Sequence, residues 1–443
     1  MDTKTNDQVI AGLDVGSSQV TTVLGRKTQD GVEILGMGEC PTEGMRRGAV
    51  VNVDATVKSI RQSVTEAERM TGLTVESVFV GISGPLIKSF NSHAAISVKN
   101  EHEVTDADFT RVLEIARTVE LPNDREILHV LTQEFIVDDM AGIKDPRGMT
   151  GIRLDARVHV VTNDVPGARN LARCVEKADL DVESFVLSPL ASAEAVLTPE
   201  EREVGVALMD FGGGTVEIVI FFNGSLRHTY VLPLGGSSIT SDIAIGLKLP
   251  QSDAEILKVS SGCAMIQKVR RDELVELPGV GGRLPRPIRR QYLSEIIEPR
   301  AEEIFTLLRK EILRSGYEEN LGAGVVLTGG GSKLEGLTDL GERVFKLPFR
   351  RGNPIGIGGL VEVVNGPAFA TSVGLVQYGA GASERVYRPA EAPAGSDGHT
   401  PRESYLLCGW MVNVVFAVAV LLKRSATWTA SVCSPARRPR SSM

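Results

Sequence analysis

The chain has 443 residues, and its 42% hydrophobic content is enough to bury cores in two or more lobes. Its net charge is −8, and residues 381–443 carry eight Lys/Arg against four Asp/Glu, so the acidic body excludes a general nucleic-acid binder. Five scattered cysteines form no zinc spacing or disulfide framework, and the polar N-terminus lacks a signal-peptide core, so we expect a cytoplasmic protein.

The first predicted element is a β-hairpin. Apolar residues 9–13 and 20–24 flank a turn at 14–18, and the same pattern returns at 204–222. Asp14 and Asp210 occupy matching positions 196 residues apart, and the two segments align without a gap. An internal repeat of this kind predicts two related lobes.

The segment between the two hairpins contains further predicted elements. Residues 84–162 are β-rich, and we interpret them as a subdomain inserted into the first lobe. The elements predicted here are a helix at 53–70, a strand at 75–83, a helix at 105–119, strands at 127–137 and 152–161, a helix at 166–178, a strand at 182–187 and a helix opened by Ser188.

The second hairpin is followed by a lobe with a charged section. Its predicted elements are a helix at 239–245, a charged section at 248–313 ending in a helix from Ser294, a strand at 324–327 and a helix near Glu335. Residues 381–403, rich in Ala, Pro, Gly and Ser, are predicted to form a flexible linker.

Three glycine-rich turns each follow an apolar strand, at 14–18, 210–215 and 328–332. Successive backbone N–H groups of glycine turns can surround phosphate oxygens, and a carboxylate can hold Mg²⁺ through water. No Walker sequence, Gly-x-Gly-x-x-Gly fingerprint or His-Glu-x-x-His motif is present in the sequence. The three turns together therefore predict a phosphate and cation site between the lobes.

Four segments resemble the nucleotide loops of the actin, Hsp70 and sugar-kinase superfamily: GLDVGSSQV, LMDFGGGTV, VLPLGGSSITSDIAIGL and VVLTGGGSKLEGL. Within that superfamily, the stretches SDAEILK, GGRLPRPIRRQYLSEIIEPRAEEI and FATSVGLVQYG are similar to the bacterial cell division family FtsA. This resemblance runs from Val9 to Gly379.

The resemblance implies an α/β, actin-like fold of two duplicated ribonuclease H-like lobes with an inserted SHS2-like subdomain and a C-terminal tail. The implied parts are a first lobe at 9–83 and 163–203, the insertion at 84–162, a second lobe at 204–246 and 314–380, a subdomain at 247–313 that binds FtsZ, the linker at 381–403 and an apolar, basic tail at 404–443.

The resemblance also implies that ATP and Mg²⁺ are the ligands. The implied phosphate-facing residues are Asp14, Gly16, Ser17 and Ser18 in the first lobe and Asp210, Gly212, Gly213, Gly214 and Thr215 in the second, with Mg²⁺ near Asp14 and Asp210 through water. The residues implied to border the adenosine are Gly329, Gly330, Gly331 and Ser332. Glu255 and Lys258 would lie near the base and ribose, or form a solvated pair one helical turn apart.

Two positions depart from the family pattern. Gln19 stands where many relatives carry a lysine after the first phosphate loop, so one positive charge toward the phosphates is missing. Ser188 stands where filament ATPases often place Glu or Gln to orient water, so we expect at most slow hydrolysis.

The implied partners are FtsZ, further copies of the chain, other division proteins and the membrane. The implied location is the cytoplasmic face of the cell membrane at the division septum. Arg283, Arg286, Arg289 and Arg290 form a local basic cluster that would receive the acidic FtsZ tail, or else a solvated loop. The alternatives to a division protein are a scaffold of the pilus-assembly type and a small-molecule kinase of the same superfamily.

The C-terminal segment 404–422 has nineteen residues without a charge, close to the length that spans a bilayer. The chain after it is basic, and a single span would place it on the opposite side from an ATP-binding body. Three accounts stay open: a tail anchor inserted against the charge rule, a segment that dips into the inner leaflet, or an abnormal terminus from an altered reading frame. We expect residues 404–424 to attach the chain to the membrane.

Overall fold

A computed structural model describes residues 9–29, 31–99, 103–279 and 284–385 of the chain. Residues 386–443 lie outside the described part, so most of the predicted linker and the whole predicted membrane segment cannot be compared with it. Over the described ranges, no helix is both long and apolar enough to cross a lipid bilayer.

The first lobe begins with the predicted hairpin. Helix α1 starts after Asn52, whose side chain accepts a hydrogen bond from the Ala55 backbone at 3.1 Å, and ends at Gly72, which has a left-handed φ of 71°. The elements up to the insertion are β1 (Val9–Val15), β2 (Gln19–Thr28), β3 (Gly31–Pro41), β4 (Met45–Arg46), β5 (Ala49–Val50), α1 (Val53–Thr71) and β6 (Ser77–Ile82).

The inserted subdomain is a sheet in the order β7-β10-β8-β9 with one helix packed against it. Its own core includes the fully buried side chains of Phe135 and Leu154. Its elements are β7 (Lys88–Ser97), α2 (Asp106–Arg117), β8 (Arg125–Val137), β9 (Met140–Ile143) and β10 (Arg153–Asp164).

The chain then completes the first lobe and builds the second. The remaining elements of the first lobe before the second hairpin are α3 (Val165–Glu176), β11 (Asp181–Leu187), α4 (Ser188–Val196) and α5 (Pro199–Val204). The second lobe contains β12 (Val206–Phe211), β13 (Val216–Phe222), β14 (Ser225–Leu232), α6 (Gly236–Leu247), α7 (Gln251–Ser261), β15 (Leu274–Leu277), β16 (Arg286–Arg289), α8 (Arg290–Ser315), β17 (Val325–Thr328), α9 (Leu337–Phe345) and β18 (Phe349–Arg351).

The last elements are β19 (Ile357–Gly359), α10 (Val361–Val364) and α11 (Ala370–Arg385). Short 3₁₀ turns occur at Ile266–Lys268, Glu318–Asn320, Gly330–Lys333 and Pro367–Phe369.

The two main sheets have the same topology. Apart from an additional edge strand, β19, which pairs with β3, the first has the order β3-β2-β1-β6-β11, and the second has the order β14-β13-β12-β17-β18. In each, the first three strands are antiparallel and the last two join the hairpin in parallel. The hairpin register also repeats, because Asp14 pairs with Thr21 and Asp210 pairs with Glu217. This duplication confirms the predicted actin-like fold.

Helices α4 and α11 pack against each other and share one apolar core with side chains from both main sheets. Val23 and Phe79 of the first sheet and Leu208 and Phe221 of the second are buried in this core. Each large apolar side chain buried in this way stabilises the fold by roughly 1.5–3 kcal/mol. The two lobes are therefore joined by a packed layer of helices, with the predicted turns at its edge.

Some predicted boundaries are wrong. The range 314–380 was assigned to the second lobe, but β19 pairs with β3 and α11 packs on β1 and β2, so this last part belongs to the first lobe. Helix α11 continues to Arg385, which makes the first residues of the predicted linker helical. Val204 ends α5 and does not begin a strand. The helix stops there because Gly205 has a positive φ of 110°, a conformation that glycine adopts readily.

Candidate functional site

A cleft lies between the two lobes where the first two glycine-rich turns face each other. Asp14 lies beside Gly81 of the neighbouring parallel strand, and Asp210 lies beside Thr328 in the same way. Both aspartates line the same cleft. It lies at the carboxyl ends of parallel strands, which is where α/β proteins bind their ligands. The predicted site residues that line it are Asp14, Gly16, Ser17, Ser18, Asp210, Gly212, Gly213, Gly214, Thr215, Gly329 and Gly330.

The turn after β1 is held by its own backbone and by the β4–β5 hairpin. The N–H of Gly16 donates to the carbonyl of Gln19 at 3.0 Å, and the Thr42 hydroxyl donates to the Gly16 carbonyl at 2.9 Å. The Ser17 hydroxyl accepts a hydrogen bond from the N–H of Gly48 at 2.9 Å. These bonds fix the conformation of the turn on both sides.

The turn after β12 needs glycine because it lies against the other lobe. A Cβ at Gly213 would collide with the Ser18 side chain, and a Cβ at Gly214 would lie 2.5 Å from the Ser17 hydroxyl oxygen. The N–H of Gly212 donates to the Thr215 carbonyl at 2.9 Å, which closes the turn. The two turns thus form opposite walls of one narrow cleft.

Three carboxyl groups meet in this cleft. Burial, together with the nearby Asp210, raises the pKa of Asp14 to about 7. Burial and then Asp210 raise the pKa of Glu217 to about 8. Burial also raises the pKa of Asp210, although hydrogen bonds donated by Ser192 at 2.6 Å and Thr371 at 3.2 Å favour its charged form. Ionising all three together is unfavourable unless a cation is present.

Glu217 was not predicted as a site residue. Its carboxyl group accepts hydrogen bonds from Ser83, which directly precedes the insertion, and from Thr215 at 3.0 Å. The available signal was an acidic residue inside the apolar strand VEIVIFF. Ser192 and Thr371 were also missed, because their contacts to Asp210 span 18 and 161 residues and depend on how α4 and α11 pack.

Only part of the third predicted turn lines the cleft. Gly329 has a left-handed φ of 81°, and Gly329 and Gly330 line the cleft. A Cβ at Gly331 would instead collide with the Phe211 ring. The Ser332 side chain is fully buried and donates to the Gly329 carbonyl at 2.7 Å. Gly331 and Ser332 therefore shape the turn without lining the cleft.

Glu255 and Lys258 form an ion pair at 2.7 Å beside the second glycine-rich turn. The Lys258 ammonium group also donates to the Gly236 carbonyl at 3.1 Å and to the Thr240 hydroxyl at 2.9 Å. The N–H of Gly236 in turn donates to the Gly212 carbonyl at 3.0 Å. The pair supports the turn from behind and is not among the cleft-lining residues.

The predicted basic cluster is divided. Arg283 lies outside the described residues, whereas Arg286 and Arg289 are exposed at the two ends of β16. Arg290 forms ion pairs with Glu273 at 2.9 Å and with Glu335, so its charge is already balanced by carboxylates of the same lobe. Arg290 is therefore less available to a partner than Arg286 and Arg289.

The residues of the cleft fit the phosphates of a nucleotide with a hydrated divalent cation. Among its described lining residues, none is Lys or Arg, and Gln19 and Ser188 are both present. Backbone N–H groups of the glycine turns can bind phosphate oxygens, and carboxylates are the ligands that Mg²⁺ prefers. Within the described ranges, no three His, Cys, Asp or Glu side chains are placed to hold a metal ion directly.

Comparison with protein families gives two matches. The family described as "Cell division protein FtsA" matches residues 207–374, and "SHS2 domain inserted in FTSA" matches residues 84–162. The chain is 44% identical to Cell division protein FtsA of Pseudomonas aeruginosa over 373 residues, which covers 84% of this chain and 89% of that protein. It is 40% identical to FtsA of Escherichia coli K12 over 383 residues, which covers 85% and 91%.

Among solved structures, the chain resembles one from a PilM-PilN type IV pilus biogenesis complex with a TM-score of 0.60. That likeness covers 84% of this chain and 98% of the other at 17% sequence identity, so it concerns the fold alone.

Proposed function

This chain belongs to the FtsA family of cell division proteins, and we propose that it binds ATP with Mg²⁺ between its two lobes. The observation that carries the proposal is the pair of glycine turns facing each other above Asp14 and Asp210. The N–H groups of Gly213 and Gly214 and the hydroxyls of Ser17 and Ser18 would bind phosphate oxygens. The two aspartates would bind waters of the cation.

Nucleotide in this position would hold the two lobes together. Ser188, which opens α4 at the cleft, has no carboxylate or amide to orient an attacking water. We therefore propose that hydrolysis is at most slow and that the nucleotide acts mainly as a clamp that favours assembly of further copies into an actin-like polymer.

The polymer would connect FtsZ to the cytoplasmic membrane at the division septum and recruit other division proteins. The exposed Arg286 and Arg289 are the described residues proposed to bind the acidic FtsZ tail. Residues 404–424 are proposed to attach the chain to the membrane.

The alternatives have less support. A small-molecule kinase would use Asp210 as a base, but Asp210 is held by Ser192 and Thr371 in a closed set of hydrogen bonds. A pilus-assembly scaffold shares the fold, yet the FtsA relatives reach 44% identity over most of the chain, against 17% for the pilus structure.

Titration calorimetry of the full chain with ATP, with and without Mg²⁺, tests the nucleotide site. Since no basic side chain is among the described lining residues, Mg²⁺ should increase ATP affinity at least about tenfold. Asp210→Asn should remove most of that increase, whereas the same change at exposed Asp272 should have no effect.

A second variant tests the adenosine side. A Cβ at Gly330 would meet only Ala368, at 3.9 Å, so Gly330→Leu causes no clash at Cβ and adds bulk to the cleft. ATP affinity should fall at least about tenfold with or without Mg²⁺. Unchanged affinity in both Asp210→Asn and Gly330→Leu would show that the nucleotide does not bind in this cleft.

A further inference from the structure

The inserted subdomain contacts both lobes, although the chain inserts it into the first lobe only. Strands β7, β8 and β10 of the insertion pack against β14, the edge strand of the second main sheet. Strand β8 also packs against β11 of the first lobe. Two histidines on paired strands, His129 of β8 and His159 of β10, lie at these two contacts.

The contact with the first lobe is made by His129. Its Nε2 accepts a hydrogen bond from the backbone N–H of Leu187 at 3.0 Å. Leu187 directly precedes Ser188, which lines the cleft. Arg125, also on β8, donates to the carbonyls of Leu86 and Thr162, the two chain segments that connect the insertion to the lobe. These bonds hold the insertion next to the N-terminus of α4, where Ser188 lines the cleft.

The contact with the second lobe is a polar network around β14. The Nδ1–H of His159 donates to the Asn91 side chain at 2.7 Å, and Nε2 accepts from the Thr229 hydroxyl at 3.2 Å. The Gln133 amide donates to the same Asn91 oxygen at 3.2 Å and to the Leu226 carbonyl at 2.9 Å. The side chains of Gln133, His159 and Thr229 are all buried.

Separating the insertion from β14 would leave these buried groups without partners until water reached them, which is unfavourable. The network therefore favours the arrangement in which the insertion stays in contact with β14. Strand β14 pairs with β13, and β13 pairs with β12, which ends at Asp210. A movement of the second lobe that opens the cleft would also move β14 relative to the first lobe.

We infer that the inserted subdomain is a bridge between the lobes, and that its contact with β14 is coupled to closure of the cleft. The ligand named in this inference, ATP, rests on the proposed function, whereas the contacts between the insertion and β14 do not. Since coupling is reciprocal, ATP that favours the closed cleft would also strengthen the contact with β14, and loss of that contact would weaken ATP binding.

The test removes one hydroxyl group from the bridge. Thr229→Val keeps the side-chain shape and removes the hydrogen bond to His159 Nε2, while Thr132→Val makes the same change on the exposed face of β8 as the control. Calorimetry of the full chains with ATP and Mg²⁺ should show about three- to tenfold weaker binding for Thr229→Val and no change for Thr132→Val. Ser89→Ala, which removes a bond of 3.1 Å to the Thr229 carbonyl, should act in the same direction if Thr229→Val does not fold.

Hydrogen exchange without nucleotide separates this inference from the proposed function. In the free chain, Thr229→Val should speed amide exchange at 15–19 and 211–215 at least about threefold over Thr132→Val, although Thr229 lines neither turn. Unchanged exchange at both turns in Thr229→Val and Ser89→Ala would overturn the bridge. Failure of the unaltered chain to bind ATP would overturn only the proposed function.

Discussion

Glu217 shows how a single residue changes the chemistry of the cleft. It faces Asp210 across the β12–β13 pair, at the position that Thr21 occupies in the first lobe. Its side chain is 4% exposed and within a strand of apolar residues. The duplicated fold therefore places a carboxyl group in the second lobe where the first has a hydroxyl, and burial keeps that carboxyl group protonated up to about pH 8.

The buried carboxyl group of Glu217 predicts a pH-dependent stability. Its pKa is raised from 4.5 to about 8, so the folded chain retains a proton that the unfolded chain loses, and stability declines as pH rises from about 5 to 8. Glu217→Gln removes this loss, since an amide can keep both hydrogen bonds. Urea unfolding without nucleotide should show that the variant gains on the order of 2 kcal/mol relative to the unaltered chain between pH 5 and pH 8.

The same substitution at exposed Glu120 is the control for losing a carboxyl group as such. A stability difference between Glu217→Gln and the unaltered chain that stays constant over this pH range would show that Glu217 is ionised in the folded state.

At the scale of elements, the sequence predicted those structures that are determined by residues close together in the chain. The two hairpins follow from a strand, turn and strand pattern, and their matching register is present in the structure. Strand β14 was not predicted, because its sequence SLRHTYVL is polar, and its buried Arg227 and Thr229 are covered by an insertion that is distant in the chain. In the same way, the ion pairs that occupy Arg290 come from Glu273 and Glu335 and leave no sequence signal.

The β15–β16 hairpin is the element on which FtsZ binding can be tested. Arg286 pairs with Leu277 and Arg289 with Leu274, at opposite ends of the hairpin and on opposite faces of β16. Arg286→Glu should weaken binding of an FtsZ tail peptide about five- to tenfold in a fluorescence anisotropy titration, because a charge that attracts its acidic residues becomes one that repels them.

The control for this test is the same charge reversal at exposed Arg117, on α2 of the insertion, which should leave tail binding unaltered. Arg290→Glu should instead reduce the stability of the second lobe, since Glu273 and Glu335 would lose their partner. Tail binding that survives reversal of both Arg286 and Arg289 would exclude this hairpin.

At the scale of the whole molecule, duplication explains why sequence reasoning located the cleft. Two copies of one topology place equivalent strand ends opposite each other, so two matching turns must meet once the lobes pack around α4 and α11. The same reasoning failed for the chain after β18, because β19 and α11 return to the first lobe by a crossover that no repeat reveals. The actin-like fold was thus predictable, while the assignment of its last segment depended on long-range packing.

The membrane attachment of the whole chain is the last prediction. Residues 404–422 carry no charge, and the described residues contain no helix able to cross a bilayer, so the tail is the segment to remove. Deleting 404–443 should release the chain from sedimented vesicles of anionic phospholipid and leave ATP affinity unchanged. Deleting only 425–443 should preserve most of the sedimented fraction, because an apolar segment ending in Lys423 and Arg424 still places positive charge at the headgroups. Release by the shorter deletion would assign attachment to the basic end, and full sedimentation after the longer one would place the anchor elsewhere in the chain.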